Sequence, residues 1–538
     1  MTMKKYFVIV AMAFAAMPLM AQETYENAKI AAEDLNGTAR YVGMGGAMEA
    51  LGADISTIST NPAGIGLFRK STVSTSFGLV SQQDAVEFSS GDKTNLSFDQ
   101  IGFVYAARSG AKSFVNFGFN YHKSRNFDFI LSAADRLDNA SQNKLTYDKA
   151  YVSAIDIAQG YDGILYRQRE GEPIVKDGEL NYVPDFDRPY VSCNQLDDIY
   201  ARGLNYYDMW GYDPASSYTL DRAHKGYVGA YDFNISGNIN DRVYLGMTIG
   251  LRDVNYRHYG EYVEQLSGPD GNYQLTVADE RRIDGAGANI TAGVIFRPVE
   301  TSPFRMGLSV ATPTWYDLKT SNYTEVFDNT GGKDSSGETY EFKLYTPWKF
   351  GLSLGHTVGN FLALGASYEY ADYAHLDTRV KTGGYYDYWY DDYYEESESD
   401  VAMNDHTKQT LKGVSTLKLG LEYKPDPSIA VRFGYNYVSP MYKADSFKDG
   451  TIQSNGSYYS SATDFTNWKA TNRITCGVGY STGGFNFDVA YQYSATDGDF
   501  MPFMTYVDNE YTDNDNVCNA VKVSNKRHQL LFTVGYKF

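Results

Sequence analysis

The sequence predicts an all-β membrane protein, a 14-stranded antiparallel transmembrane β-barrel with an N-terminal luminal hatch, or plug. Three observations carry this. Apolar and polar side chains alternate with period two in segment after segment, the connections between those segments alternate short and long, and the chain ends on an alternating strand, His528 to Phe538. Lipid cannot satisfy backbone N–H and C=O groups, so a sheet that spans a bilayer closes on itself, and an even strand number closes antiparallel pairs without an edge.

At the amino end, Lys4 and Lys5 precede an apolar run from Tyr6 to Met20, with Ala21 before Gln22. The run of about 15 residues is shorter than the roughly 20 that a spanning helix needs, so residues 1–21 read as a signal peptide. Residues 22–70 are too polar and too rich in glycine for a lipid-facing strand. They are expected to fold into the lumen, because a barrel of this width otherwise leaves a water channel.

Strands follow near 71–81, 96–107, 113–122, 226–239, 241–254, 283–297, 303–313, 346–357, 360–371, 413–424, 428–438, 470–482, 484–495 and 527–538. Short connections such as Val358-Gly359-Asn360 and Ser481-Thr482-Gly483-Gly484 alternate strictly with long ones. Up-and-down strands with short periplasmic turns and long extracellular loops produce that order. The barrel is therefore expected over 71–538, with long loops at about 123–225, 255–282, 314–345, 372–412, 439–469 and 496–526, and with both termini periplasmic. A secreted propeller or solenoid would show a repeated unit, and none is present beyond the strand pattern itself.

Composition agrees: 48 Tyr and 29 Phe against 15 Pro in 538 residues suit strands with aromatic girdles. The formal charge is −19, and −21 once Lys4 and Lys5 leave with the signal peptide, which disfavours nucleic acid as a partner. Cys193, Cys476 and Cys518 make an odd count without CxxC spacing, so no disulfide framework follows, and pairing of Cys193 with Cys518 stays open.

Motifs for chemistry are weak. Gly43, Gly45 and Gly46 lack the preceding strand and following Lys-Ser or Lys-Thr of a phosphate loop. Gly351-Leu352-Ser353-Leu354-Gly355 matches a hydrolase pattern but sits inside an alternating strand instead of a strand-to-helix elbow. The seven histidines show no metal spacing. No catalytic residue, metal or cofactor is expected.

The segment Ala39-Arg40-Tyr41-Val42-Gly43-Met44-Gly45-Gly46-Ala47, followed by Asp54 to Ser59 and then Asn61-Pro62-Ala63-Gly64, resembles the N-terminal hatch of the FadL family of outer-membrane transporters of hydrophobic compounds. Weaker echoes stand near 284–298, 311–313 and 346–351. The resemblance implies a hatch motif of Gly43, Gly45, Gly46, Asn61, Pro62 and Ala63. It also implies passive uptake of a hydrophobic small molecule, such as a long-chain fatty acid or aromatic hydrocarbon, by loop capture, hatch movement and sideways release into outer-membrane lipid beside a kinked third strand. Gly118 is the candidate kink, although an interior strand glycine marks either a bend or packing relief. Phe127, Phe129 and Ile130 are candidates for the capture groove, or else for a small core of the loop itself. The Tyr-rich stretch 385–396 is either a ligand-stacking surface or an exposed acidic loop tip.

The terminal Phe538 resembles the signal read by the barrel-assembly machinery, and the protein is expected to be a monomer. Two rivals stand. One is a FadL-like shuttle of a type IX secretion system that binds protein signals. The other is an outer-membrane phospholipase, which needs a Ser and a His facing lipid on neighbouring strands, a pair not apparent here.

Overall fold

A computed structural model describes residues 24–146, 165–167, 172–173, 191–192, 196, 199, 212–268, 271–329, 331–387, 392–448, 463–505 and 515–538. The signal-peptide reading and Cys193 lie outside the described residues; Cys518 is buried and free.

Fourteen passes make the wall. They are β1 (Thr72–Gln82), β2 (Thr94–Arg108), β3 (Phe114–Asn126, resuming as Phe129–Ala140), β4 (Ala215–Ile239), β5 (Val243–Gly268), β6 (Gly271–Phe296) and β7 (Arg305–Ala311, resuming as Trp315–Asp328). After them come β8 (Lys333–Tyr345 and Lys349–Val358), β9 (Leu362–Asp372 and Asp377–Asp387), β10 (Asp392–Ser399 and Gly413–Asp426), β11 (Ile429–Val438), β12 (Phe465–Thr482), β13 (Phe485–Met501) and β14 (Val521–Lys537). Each pairs antiparallel with the next, and β1 pairs with β14 from Thr72↔Lys537 to Gln82↔Arg527, so the sheet is closed. All fourteen expected strands lie on these passes.

Parity explains which side chains meet lipid. On β5, Leu245, Met247, Ile249 and Leu251 are exposed, whereas Tyr244, Thr248 and Arg252 between them are buried. The same holds for Tyr231, Phe233 and Ile235 on β4 and for Phe485, Phe487 and Val489 on β13. An outward apolar band over an inward polar row is what a lipid-facing strand requires. Among the described residues no helix is long and apolar enough to cross a membrane.

Several expected loops are strand. The β5–β6 ladder continues from Phe296↔Val243 to Gly271↔Gly268, so most of 255–282 is hairpin, and 314–345 is the paired upper part of β7 and β8. β4, β5 and β6 are 25, 26 and 26 residues long. A spanning strand needs about 9–11. Above the bilayer the outward face turns polar, so a reading keyed to outward apolar residues stops at the membrane edge.

This raised wall has its own core, including Leu131, Leu145, Tyr218, Leu220, Tyr262, Leu266 and Phe500. Glu264 is buried within it, where its carboxylate accepts the Tyr262 hydroxyl at 2.7 Å and the Gln142 N–H at 2.8 Å. Burial raises its pKa to about 7, although both hydrogen bonds pull the other way. The folded pKa exceeds the unfolded one, so the stabilisation is complete below about pH 4.5 and is lost as pH rises through about 7. Thermal unfolding or proteolysis of the raised wall should therefore be slower at pH 5 than at pH 8. Glu264→Gln should abolish that difference, and a pH dependence that survives the substitution would refute the assignment.

Candidate functional site

The lumen is filled by residues 24–68, most of them buried. The segment starts high. Helix α1 (Thr24–Ala31) presents the Thr24 hydroxyl at 2.9 Å from both His406 Nδ1 and Thr407 Oγ1 of a helix at Val401–Thr410, inserted between the two parts of β10. Tyr25 stacks on Tyr442 at 5.1 Å. Phe538 lies at the opposite rim, its N–H donating to Ser71 O. The first described residue stands away from that rim, because the apolar face of α1 draws it up among Tyr256, Tyr316, Phe342 and Tyr442.

From there the segment descends through three short helical turns, each started by a capping side chain. Thr38 accepts from the Tyr41 N–H, Asp54 from Ser56 and Asn61 from Ala63, and Pro62 begins the turn that Asn61 caps. Arg40 forks onto Glu422 at 3.0 and 3.2 Å, and Lys418 reaches Glu49 at 2.8 Å.

The wall accommodates this chain with glycine. Eight consecutive strands, β5 to β12, turn Gly246, Gly293, Gly307, Gly355, Gly365, Gly420, Gly434 and Gly477 toward it. Gly355, Gly365, Gly420 and Gly434 are directly paired across β8–β11. A Cβ at Gly365 would overlap the Ala47 carbonyl, one at Gly420 the Met44 carbonyl, and one at Gly293 the Asn61 side chain. All six candidate hatch residues lie on this segment. Gly43 touches Gly477. Gly45, at φ +63°, fits between backbone atoms of Leu419 and Tyr435, and Gly46 at φ +81° packs on Leu35. Asn61, fully buried, sits between β6 and β7, while Pro62 and Ala63 lie on Gly246 of β5.

Above the segment lies a cavity of 230 Å³ with two kinds of lining. Tyr25, Phe127, Phe129, Leu131, Met441 and Trp468 give an apolar side; Lys29, Arg125, Arg222, Arg473 and Arg527, with Glu26, Glu33, Asp34 and Asp464 among them, give a charged one. Phe129 stacks on His224 at 5.9 Å and meets Trp468 edge-on at 5.7 Å. Of the three groove candidates, Phe127 and Phe129 line the cavity. Ile130 does not: its N–H and C=O are bridged by the Gln82 amide at 2.7 Å each, and its side chain packs toward the Gly91 position.

Behind the cavity is a network that no sequence pattern announced. The Tyr256 hydroxyl lies 2.9 Å from His224 Nδ1 and 2.8 Å from His258 Nδ1, and Lys29 Nζ donates to it at 2.9 Å. Asp279 joins His258 at 2.6 Å to Arg222 at 2.9 Å. These strand positions stand above the apolar band. Burial pushes both imidazoles below their ordinary pKa, and at His224 the charges of Lys29, His258 and Arg222 add to the effect, so both act as neutral hydrogen-bonding groups near pH 7. A metal centre has no basis among the described residues.

A second, polar chamber of 160 Å³ lies below, lined by Glu33, Asp34, His122, Arg252, Lys349 and Lys418 among others. Beside it the wall is interrupted. The β2–β3 ladder stops at Gln100↔His122, although Thr94 to Phe98 of β2 still pair with β1. Above that point side chains span the space: Lys123 Nζ to Ser97 Oγ at 2.9 Å and Asn36 Nδ2 to Asp99 Oδ1 at 2.9 Å. Gly118 is not the kink, because the register runs unbroken through it and a Cβ there would make ordinary contacts of 3.4–3.6 Å. The register shifts instead between Lys123 and Arg125, and the strand breaks before Phe129. Asp34 causes this. Its N–H donates to Ser124 O at 2.8 Å, and its carboxylate takes the Asn126 N–H at 3.1 Å and Arg125 at 2.9 Å, which draws β3 inward.

No family model matches the chain, and no curated protein matches it. Among solved structures, a Pseudomonas aeruginosa FadL homologue is 13% identical, covering 94% of this chain and 99% of that one with a TM-score of 0.49. The Ralstonia pickettii toluene transporter TbuX is 11% identical with a TM-score of 0.45, and the Pseudomonas putida toluene transporter TodX 10% with 0.46, each covering 94% of this chain and 99% of its own. At that distance the fold stands on the strand register and the site on its own side chains.

Proposed function

We propose that this barrel is an outer-membrane channel for passive uptake of hydrophobic small molecules that carry an anionic end, with long-chain fatty acids as the type. The observation that carries the reading is the cavity with an aromatic side and a charged side, above a chamber beside which the β2–β3 ladder is interrupted. An apolar tail finds Phe129, Leu131 and Trp468 there; a carboxylate finds Arg527, which has no ion pair among the described residues, whereas Lys29, Arg125, Arg222 and Arg473 already hold Glu26, Asp34, Asp279 and Asp464. A neutral aromatic hydrocarbon would use the first set alone.

Passage straight down crosses the polar chamber and the glycine-fitted segment, both unfavourable for an apolar solute. Passage sideways leads into lipid, and each Å² of apolar surface removed from water is worth roughly 25 cal/mol. Residues 22–70 act as the hatch, and release runs between β2 and β3. The hatch motif's resemblance to the FadL family supports this reading. Residues 1–21 direct export, the barrel-assembly machinery inserts the strands, the short turns face the periplasm and the protein works as a monomer.

Deletion of residues 22–70 tests it. Cells carrying the shortened barrel should admit small polar solutes non-selectively and lose saturable uptake of labelled fatty acid by more than tenfold. Unchanged saturable uptake with the barrel assembled would discard the hatch. Normal fatty-acid uptake in a strain lacking the whole protein, together with a defect in protein secretion, would favour the shuttle.

A further inference from the structure

Outside the barrel, three cations stand in one row. Lys225 of β4 is directly opposite Arg257 of β5, which is directly opposite Arg282 of β6. All three share the outward parity of Tyr231, Leu251 and Ile290, and their side chains are exposed, Lys225 by 40% and Arg282 by 62%. Directly opposed residues have Cβ atoms about 4.5–5.5 Å apart, and like charges so placed repel. Compensation within the chain is partial. Asp284 reaches Arg282 Nε at 2.5 Å, Asp92 stands 3.8 Å from Lys225, the Asp128 carboxylate takes the Gly226 N–H, and Arg257 has no ion pair among the described residues.

Height identifies what supplies the missing charge. The apolar band ends at the Tyr231↔Leu251 pair, and Arg257 lies six residues farther along β5. At about 3.3 Å per residue and a tilt near 40°, the row stands ~15 Å above that edge. A phospholipid headgroup layer is only about 5–7 Å deep, too shallow to bring its phosphate to the row. Between band and row the outward positions are Gly229, Asp253, Ala286, Asn255, Tyr227 and Asp284. Carboxylates there repel phosphate, whereas Asp, Asn and Tyr are good partners for sugar hydroxyls.

We propose that β4–β6 form a binding face for a phosphorylated glycolipid of the outer leaflet. Its acyl chains lie on the apolar band, its sugars against Tyr227, Asn255 and Asp253, and its core phosphates on Lys225, Arg257 and Arg282. Arginine pairs with phosphate bidentately, and clusters of cations at a membrane edge select anionic lipid. The inference rests on the outer-membrane reading and not on what the channel carries.

The test uses the full-length mature protein in detergent, with lipopolysaccharide bearing a phosphorylated core as the probe and binding read by native mass spectrometry. The same lipopolysaccharide after chemical dephosphorylation, and phosphatidylglycerol, serve as competitors. The triple variant Lys225→Gln, Arg257→Gln, Arg282→Gln should bind the phosphorylated glycolipid at least tenfold more weakly, and should no longer distinguish it from the dephosphorylated form. Lys333→Gln, an exposed cation on β8, should bind as the wild type does. Heat-modifiable migration and fatty-acid uptake should be unchanged in the triple variant, so failure of this inference and failure of the transport reading give different results. Wild-type affinity in the triple variant, or competition by phosphatidylglycerol equal to that of the glycolipid, would overturn the proposal.

Discussion

Replacing Asp34 with alanine is expected to free the upper half of β3 and to change uptake more than any other single substitution of a charged lumen residue. The Asp34 carboxylate meets Arg125 at 2.9 Å and Arg473 at 3.4 Å and takes the Asn126 N–H, while Arg527 donates to the neighbouring Asn126 carbonyl. Its removal leaves a crowd of guanidinium groups without their central anion. Breaking one side of a buried pair costs about 3–5 kcal/mol. Asp34 retains 18% exposure of its side chain, so ~3 kcal/mol, the lower end, is the appropriate expectation. Amide exchange across residues 123–140 should accelerate by roughly two powers of ten on that energy. Asp34→Asn, which keeps an acceptor for Asn126 but no charge, should fall between. Exchange at the wild-type rate in the alanine variant would remove Asp34 from its role as the cause of the kink.

The second large effect concerns packing. Gly365→Val is expected to expel the luminal segment while leaving the wall intact, because the new Cβ meets the Ala47 carbonyl, which is backbone and cannot swing aside as a side chain would. Overpacking ordinarily costs about 1–3 kcal/mol, and here both colliding partners are fixed by hydrogen-bonded chain, so the upper end applies. The variant barrel should still migrate as a heat-modifiable species, but residues 22–70 should become cleavable by added protease and single-channel conductance should rise. Gly535→Ala is the control, since the nearest atom to its Cβ is 3.5 Å away. A protease-resistant, electrically closed Gly365→Val would show that the row of glycines does not set the fit.

What the sequence made legible follows from where each signal resides. Strand identity is local, as in His528 to Phe538, where parity alone separates lipid-facing from luminal side chains, and the pairing of β14 with β1 then closes the sheet. The heights of β4–β6 were not legible, because outward residues above the bilayer are as polar as any loop. Gly118 drew attention because a glycine is visible in a strand, yet the break lies at Lys123 to Asp128 and is held by Asp34, some 90 residues upstream. The wall glycines are each visible, but the reason for them, a backbone arriving from residues 43–63, is not. The network of Lys29, Arg222, Tyr256, His258 and Asp279 left a faint trace, since charged and aromatic residues occupy inward positions of strands that would otherwise carry small polar ones.

The tall β4–β6 flank also sets how far the barrel reaches from the membrane. Strands of 26 residues at about 3.3 Å per residue, tilted near 40°, rise ~65 Å from turn to tip. Half of that or more stands clear of the hydrocarbon. Because this chimney is laced together by main-chain hydrogen bonds, it does not collapse onto the cell surface as a tether would. On the uptake reading proposed above, a solute would first meet a rigid surface a few nanometres above the bilayer.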